Sequence, residues 1–139
     1  MSSSPEFTLR PIGYIRSELR TRVDAPKQNF EGAPDASLEV LPEFSDALDG
    51  LAAGQEIILI TWFHQAVRDR LAVHPRGNLK APLAGVFSTR SPDRPNPLGL
   101  HRVTLLKIDG LRLRVGPIEA IDGTPVVDLK PALPESKDC

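Results

Sequence analysis

The chain has 139 residues, 40% of them hydrophobic and 25% charged, with a net charge of −1. This describes one folded, soluble domain and excludes a disordered chain, a second full domain and a polycation that grips nucleic acid through bulk charge. The single cysteine, Cys139, excludes an intrachain disulfide and fits a reducing cytoplasm; no apolar run nears the roughly 18 residues of a membrane span, and Met1–Glu6 is no signal peptide.

Fourteen prolines argue for strands joined by shaped loops rather than for helices. The first strand is expected over Thr8–Ser17, with Pro11 placing it at an edge or a bulge. Residues 18–36 form a long polar loop, and such loops in small domains are usually functional. A short strand follows at Ser37–Leu41. Phe44, Ala47, Leu48 and Leu51 then carry the spacing of one short amphipathic helix.

Gln55–Phe63 is the most apolar, β-branched segment and predicts a central buried strand. Residues 64–83 read as a second long loop, Ala84–Thr89 as a strand and Arg90–Leu100 as a proline-rich loop. His101–Asp109 and Leu111–Gly116 are strands joined through Asp109-Gly110, a hairpin signal. A turn at Asp122-Gly123 leads to a last strand, Pro125–Leu129. The pattern is all-β: a small barrel or closed sandwich with one short helix and long functional loops. A single domain is expected over residues 8–134, with flexible termini at 1–7 and 135–139.

Charge is segregated. Glu31 to Glu56 contains seven acidic and no basic residues, whereas Arg68 to Arg102 contains seven basic and two acidic ones. The basic stretch suits phosphates, or else complements the acidic one. His64, His74 and His101 lack ligand spacing, so no metal is expected. Neither a phosphate-cradling glycine loop nor a G-x-S-x-G elbow occurs.

Candidate chemistry concentrates in three places. In Gly85–Leu100, Pro92, Pro95 and Pro97 stiffen a loop that carries Arg90 and Arg94, lowering the ordering cost of binding. His64-Gln65 directly follows the buried strand, where it can hydrogen-bond a purine or carboxylate or simply cap the rim. Asp122-Gly123-Thr124 is a tight turn whose backbone amides and Thr124 hydroxyl are candidate ligand contacts, beside their ordinary role in a turn.

Three segments together, Gly85-Val-Phe-Ser-Thr-Arg-Ser-Pro-Asp-Arg-Pro-Asn-Pro-Leu-Gly-Leu100, Trp62-Phe-His-Gln65 and Asp122-Gly-Thr-Pro-Val-Val-Asp-Leu-Lys-Pro131, resemble the TrmO family of tRNA methyltransferases, also called TsaA-like or YaeB-like. The opening Pro11-Ile-Gly-Tyr-Ile-Arg-Ser17 and Ala25-Pro-Lys-Gln28 are similar to the family's start. The resemblance implies a small β-barrel of non-Rossmann type, a homodimer, S-adenosylmethionine (SAM) as methyl donor and N6-methylation of threonylcarbamoyl-adenosine at tRNA position 37. It implies SAM contacts at Pro26, Lys27, Gln28, His64, Gln65, Arg90, Leu100, Asp122, Gly123 and Thr124. Arg90 and His64 are the candidate catalytic residues, Arg90 as a clamp and His64 as a base. Arg68, Arg76, Lys80 and Arg94 are the candidate tRNA contacts; no DNA or membrane partner is expected. Rival readings are a SAM- or nucleotide-binding barrel without turnover and a methyltransferase for another adenine-containing substrate. Many members read Lys-Pro-Tyr where this chain has Lys130-Pro131-Ala132.

Overall fold

A computed structural model describes residues 5–19, 34–75 and 78–133. Six strands close into a barrel in the order β1 (Gly13–Arg16), β2 (Ala36–Val40), β7 (Arg112–Gly116), β6 (Leu98–Asp109), β3 (Glu56–Trp62), β8 (Pro125–Pro131) and back to β1. Every neighbouring pair is antiparallel. The two remaining strands, β4 (Ala72–Val73) and β5 (Ala84–Gly85), pair with each other outside the barrel.

Alternation along each strand fills the interior. Ile15, Leu38, Ile57, Leu59, Leu105, Leu113, Val115 and Val126 are fully buried. Ile118 and Ala120, from the connection between β7 and β8, join the same cluster. Each fully buried Leu or Ile contributes about 1.5–3 kcal/mol relative to exposure, so this interior dominates stability.

Several elements differ from their expected bounds. β1 covers only four residues, because Pro11 has no N–H and the Ser17 N–H turns to the Asp122 carboxylate instead of a strand partner. The short helix is a 3-10 helix, Pro42–Leu48, whose Phe44 and Leu48 pack on the core together with Leu51, while Ala47 is exposed. The expected strand Ala84–Thr89 is a strand only at β5; Val86–Ser88 is a 3-10 turn. There the Ser88 hydroxyl donates to the Gly85 carbonyl at 2.7 Å and the Thr89 hydroxyl to Val86 at 3.1 Å, so local bonds outcompete a ladder. The expected loop 64–83 contains β4. The hairpin turn is Gly110-Leu111, with Gly110 at φ 60°, and Asp109 ends β6 opposite Arg112.

Strand register puts three long connections at one end of the barrel. β1 ends at Arg16 opposite Ser37, near the start of β2. β3 ends at Trp62 opposite Leu98, the first residue of β6. β7 ends at Gly116, and β8 begins beside Thr61 of β3. The connections 17–35, 63–97 and 117–124 therefore all leave and re-enter the barrel at this rim. The opposite end carries the 3-10 segment and the tight β6–β7 turn.

Candidate functional site

The three connections at the rim carry every expected cofactor contact but Leu100, which lies on β6. β8 lies between β1 and β3 in the barrel, so the 122–124 turn that feeds it stands between the other two connections. Pro26, Lys27 and Gln28, and the candidate tRNA contact Arg76, lie outside the described residues.

The Asp122 turn is fastened to β1. Its carboxylate accepts from the Ser17 N–H at 3.0 Å. The Asp122 N–H donates to Leu19 O at 2.6 Å, and the Gly123 N–H to Ile15 O at 2.8 Å. Gly123 holds φ 85°, a left-handed value suited to glycine. The Thr124 N–H and hydroxyl both donate to Ile121 O, at 3.2 and 2.7 Å, and its side chain is buried. The fold engages all four donors, the three amides and the Thr124 hydroxyl, in bonds within the chain. The Thr124 carbonyl in turn accepts from the Ile15 N–H at 2.9 Å. An open groove of about 510 Å³ runs from Asp122 past Arg16, Ser17, Glu18 and Asp35 to Ser37, Glu39, Arg112 and Arg114.

The 63–97 connection folds back on itself beside the barrel. The Phe63 N–H donates to Pro97 O at 2.8 Å, and the Val67 N–H to the Asp93 carboxylate at 2.8 Å. Arg68 stacks 4.9 Å above the Trp62 ring and donates to Pro95 O at 2.7 Å. Arg94 gathers the carbonyls of Val86, Thr89 and Ser91. Arg90 sits among those acceptors, exposed and without a hydrogen bond to the described residues. His64 and Gln65 are exposed in the turn that follows β3, not on the strand itself. Leu100 lies on the outer barrel surface, opposite Ile60 and 56% exposed.

The basic stretch is partly committed elsewhere. Arg94 and Arg68 brace the loop, and Arg102 pairs with Glu56 at 3.4 Å, so that basic and acidic stretches do meet there. Lys80, Arg70 and Arg90 remain exposed in the same region. On the other side of the barrel, Glu39 bridges Arg16, at 3.0 Å, and Arg112. Hydrogen bonds from Arg112 and then Arg16 hold the Glu39 carboxyl below its ordinary 4.5, and Glu39 in turn raises Arg16.

One constellation escaped the sequence reading. His101 of β6 points into the barrel, 2% exposed. Its Nε2 lies 2.8 Å from the Thr61 hydroxyl and its Nδ1 3.1 Å from the Glu119 carboxylate. The signal was the strand parity, which sets residue 101 on the same face as Val103 and Leu105. No group of His, Cys, Asp and Glu suited to a metal occurs among the described residues, and no described helix is long and apolar enough to cross a membrane.

The model of the tRNA-methyltransferase O N-terminal domain matches residues 14–138. A Methanothermobacter thermautotrophicus protein named "Probable S-adenosyl-L-methionine-binding protein" is 46% identical over 93% of this chain and 92% of its own length. An Archaeoglobus fulgidus protein named "S-adenosyl-L-methionine-binding protein" is 40% identical over 94% of this chain and 92% of its own. The crystal structure of TrmO from Pseudomonas aeruginosa superposes with a TM-score of 0.77 at 34% identity, covering 98% of this chain. This chain spans 59% of that TrmO chain. The match of fold, motif and family model places the chain in the tRNA-methyltransferase O N-terminal domain family.

Proposed function

We propose that this protein is a SAM-dependent methyltransferase whose cofactor and substrate meet at the barrel rim. The observation that carries the reading is the convergence of connections 17–35, 63–97 and 117–124 on one end of the barrel. Relatives named as SAM-binding proteins along most of their length support the cofactor. The finer reading is N6-methylation of threonylcarbamoyl-adenosine at tRNA position 37, by a cytoplasmic homodimer.

The residues at the rim fit the donor needs of the cofactor. The Asp122 carboxylate suits ribose hydroxyls, Leu100 an apolar ring face, and Arg90 a carboxylate. His64 and Gln65 suit the edge of a purine, and Pro26, Lys27 and Gln28 complete the set.

The cofactor, when bound, supplies an electrophilic methyl group. The work of the chain is alignment, and alignment alone removes roughly 7–11 kcal/mol from such a barrier. Arg90 holds a carboxylate or the negative charge that develops as the substrate N–H is lost. His64 accepts that proton. Gly123 and Thr124 fix the turn rather than touch ligand through their N–H groups. Lys80, Arg68 and Arg76 meet tRNA phosphates, and Arg94 acts there only through its hold on the loop. The exposed apolar residues Leu71, Leu83 and Phe87 beside β4 and β5 support burial against a second copy.

A binding module without turnover is the second reading, favoured by relatives named for binding alone. Calorimetric titration with SAM, followed by methyl transfer to tRNA with and without the threonylcarbamoyl group, separates them. A methylated product only on modified tRNA supports the specific activity. SAM binding with no product on either tRNA selects the binding module, and absence of SAM binding overturns both.

A further inference from the structure

A histidine in the interior of a small barrel is costly unless both ring nitrogens are satisfied. His101 meets that condition. A carboxylate only accepts, so in the neutral ring Nδ1–H donates to Glu119, and Nε2 accepts from the Thr61 hydroxyl. Phe63 packs edge-on against the imidazole, with ring centroids 5.7 Å apart, and fixes its plane. The three polar side chains thus form one chain, Thr61–His101–Glu119. It runs from the β3–β6 wall to the connection between β7 and β8.

Glu119 occupies the middle of that connection. On one side of it the Ile118 N–H donates to Pro34 O at 3.0 Å; on the other the Asp122 N–H donates to Leu19 O at 2.6 Å. Those bonds tie the connection to the entry of β2 and the exit of β1. The bond from Glu119 to His101 ties it to the barrel interior. Glu119 Oε2 is buried and has no hydrogen-bond partner among the described residues, so the Oε1 bond to His101 is its hold there. An apolar pair would fill the interior at lower desolvation cost, whereas a polar chain bonded through both nitrogens of His101 fixes one arrangement of the parts it joins.

We propose that His101, through Glu119, is a positioning residue for the Asp122 carboxylate. It sets the seat of the 117–124 connection on the rim and so the place of Asp122 against the ribose end of the cofactor. His101 does not touch the ligand and takes no part in proton transfer. This rests on the cofactor reading above.

The test uses the full chain with Glu119→Ala and Glu119→Gln, read by SAM calorimetry and by amide hydrogen exchange. Glu119→Ala is expected to weaken SAM binding about tenfold, the scale of one hydrogen bond to a charged group. Faster exchange is expected at the Ile118, Asp122 and Gly123 amides but not across β3 and β6. Glu119→Gln keeps an acceptor for Nδ1–H and is expected to restore both affinity and protection. Three results overturn the proposal. Unchanged affinity and exchange in Glu119→Ala would show that the bond positions nothing. Faster exchange throughout the barrel would make the role one of general stability. Weak binding in Glu119→Gln with normal exchange would make the charge of Glu119 a direct ligand contact. If the unaltered protein binds no SAM, the cofactor reading fails, and the exchange pattern alone judges the anchor.

Discussion

The Arg94 guanidinium donates to the carbonyl of Thr89 at 2.6 Å, one residue before the exposed Arg90. It also reaches Ser91 O at 2.9 Å and the Val86 carbonyl, so acceptors on both sides of Arg90 share one donor group. One arginine builds the platform from which the other projects. Replacing Arg94 takes the donor from the part-buried Thr89 and Ser91 carbonyls, while Val86 O keeps the Thr89 N–H and hydroxyl, at a cost of about 1–3 kcal/mol. Arg94→Ala is expected to lower the melting temperature by a few degrees and to speed exchange at the Val86 and Thr89 amides. Arg94→Lys is expected to rescue little, because a point ammonium does not reproduce the planar fork. A lysine variant that melts like the parent would refute this.

Arg90 is exposed and makes no hydrogen bond to the described residues, so its loss removes none from the described fold. Arg90→Ala is expected to melt like the parent while binding SAM or transferring methyl at least about tenfold less well. Calorimetry and a transfer assay on the same preparation check this. Equal binding and equal turnover would remove Arg90 from the site.

Gly99 faces Thr61 across the β3–β6 ladder. A Cβ there would lie 2.6 Å from the Thr61 hydroxyl oxygen and 2.7 Å from a ring carbon of Phe63. Both neighbours are engaged around His101, so neither yields freely. Gly99→Ala is expected to destabilise the barrel by about 1–3 kcal/mol, the cost of overpacking, as read from thermal or urea unfolding. A neutral substitution would mean that Phe63 has room to swing.

The Arg16–Glu39–Arg112 bridge predicts a pH dependence. The Glu39 carboxyl titrates below its ordinary 4.5 in the fold, chiefly through the Arg112 and Arg16 hydrogen bonds. Its contribution is therefore complete above about pH 5 and fades as pH falls through the lowered folded value. The melting difference between the parent and Glu39→Gln is expected to be constant near neutrality and to shrink in acid. It should also shrink with added salt, since these side chains are exposed. A difference that grows in acid would contradict the assignment.

The sequence announced elements whose signal is local and missed those decided by distant partners. β3, expected over Gln55–Phe63 and found at Glu56–Trp62, was legible because a β-branched run buried between two neighbours has little else to become, and the structure pairs it with β6 and β8. β4 was invisible, since two residues carry no period. Val86–Ser88 looked like strand by composition, but Thr89 and Arg94 bond the Val86 carbonyl and Ser88 bonds the preceding Gly85 carbonyl. At the rim, the Asp-Gly turn was legible in residue type but not in orientation. Which way Thr124 points depends on Ile121 O, a partner that residue preference does not encode. The His101 chain needed the pairing of Gly99 with Thr61 and the return of Glu119 from beyond β7, both of them tertiary facts.

β1 and β8 are neighbours, pairing Gly13 with Val126, and the first enters and the second leaves by the end of the barrel away from the rim. The order of the polypeptide is therefore separable from the architecture of the rim. A short linker from the end of β8 to the start of β1, with new termini cut at the Gly110-Leu111 turn, gives a circular permutant in which all three rim connections stay covalently whole. Such a rearranged chain would fold more slowly or faster as its loop closures change, yet present the same ligand surface.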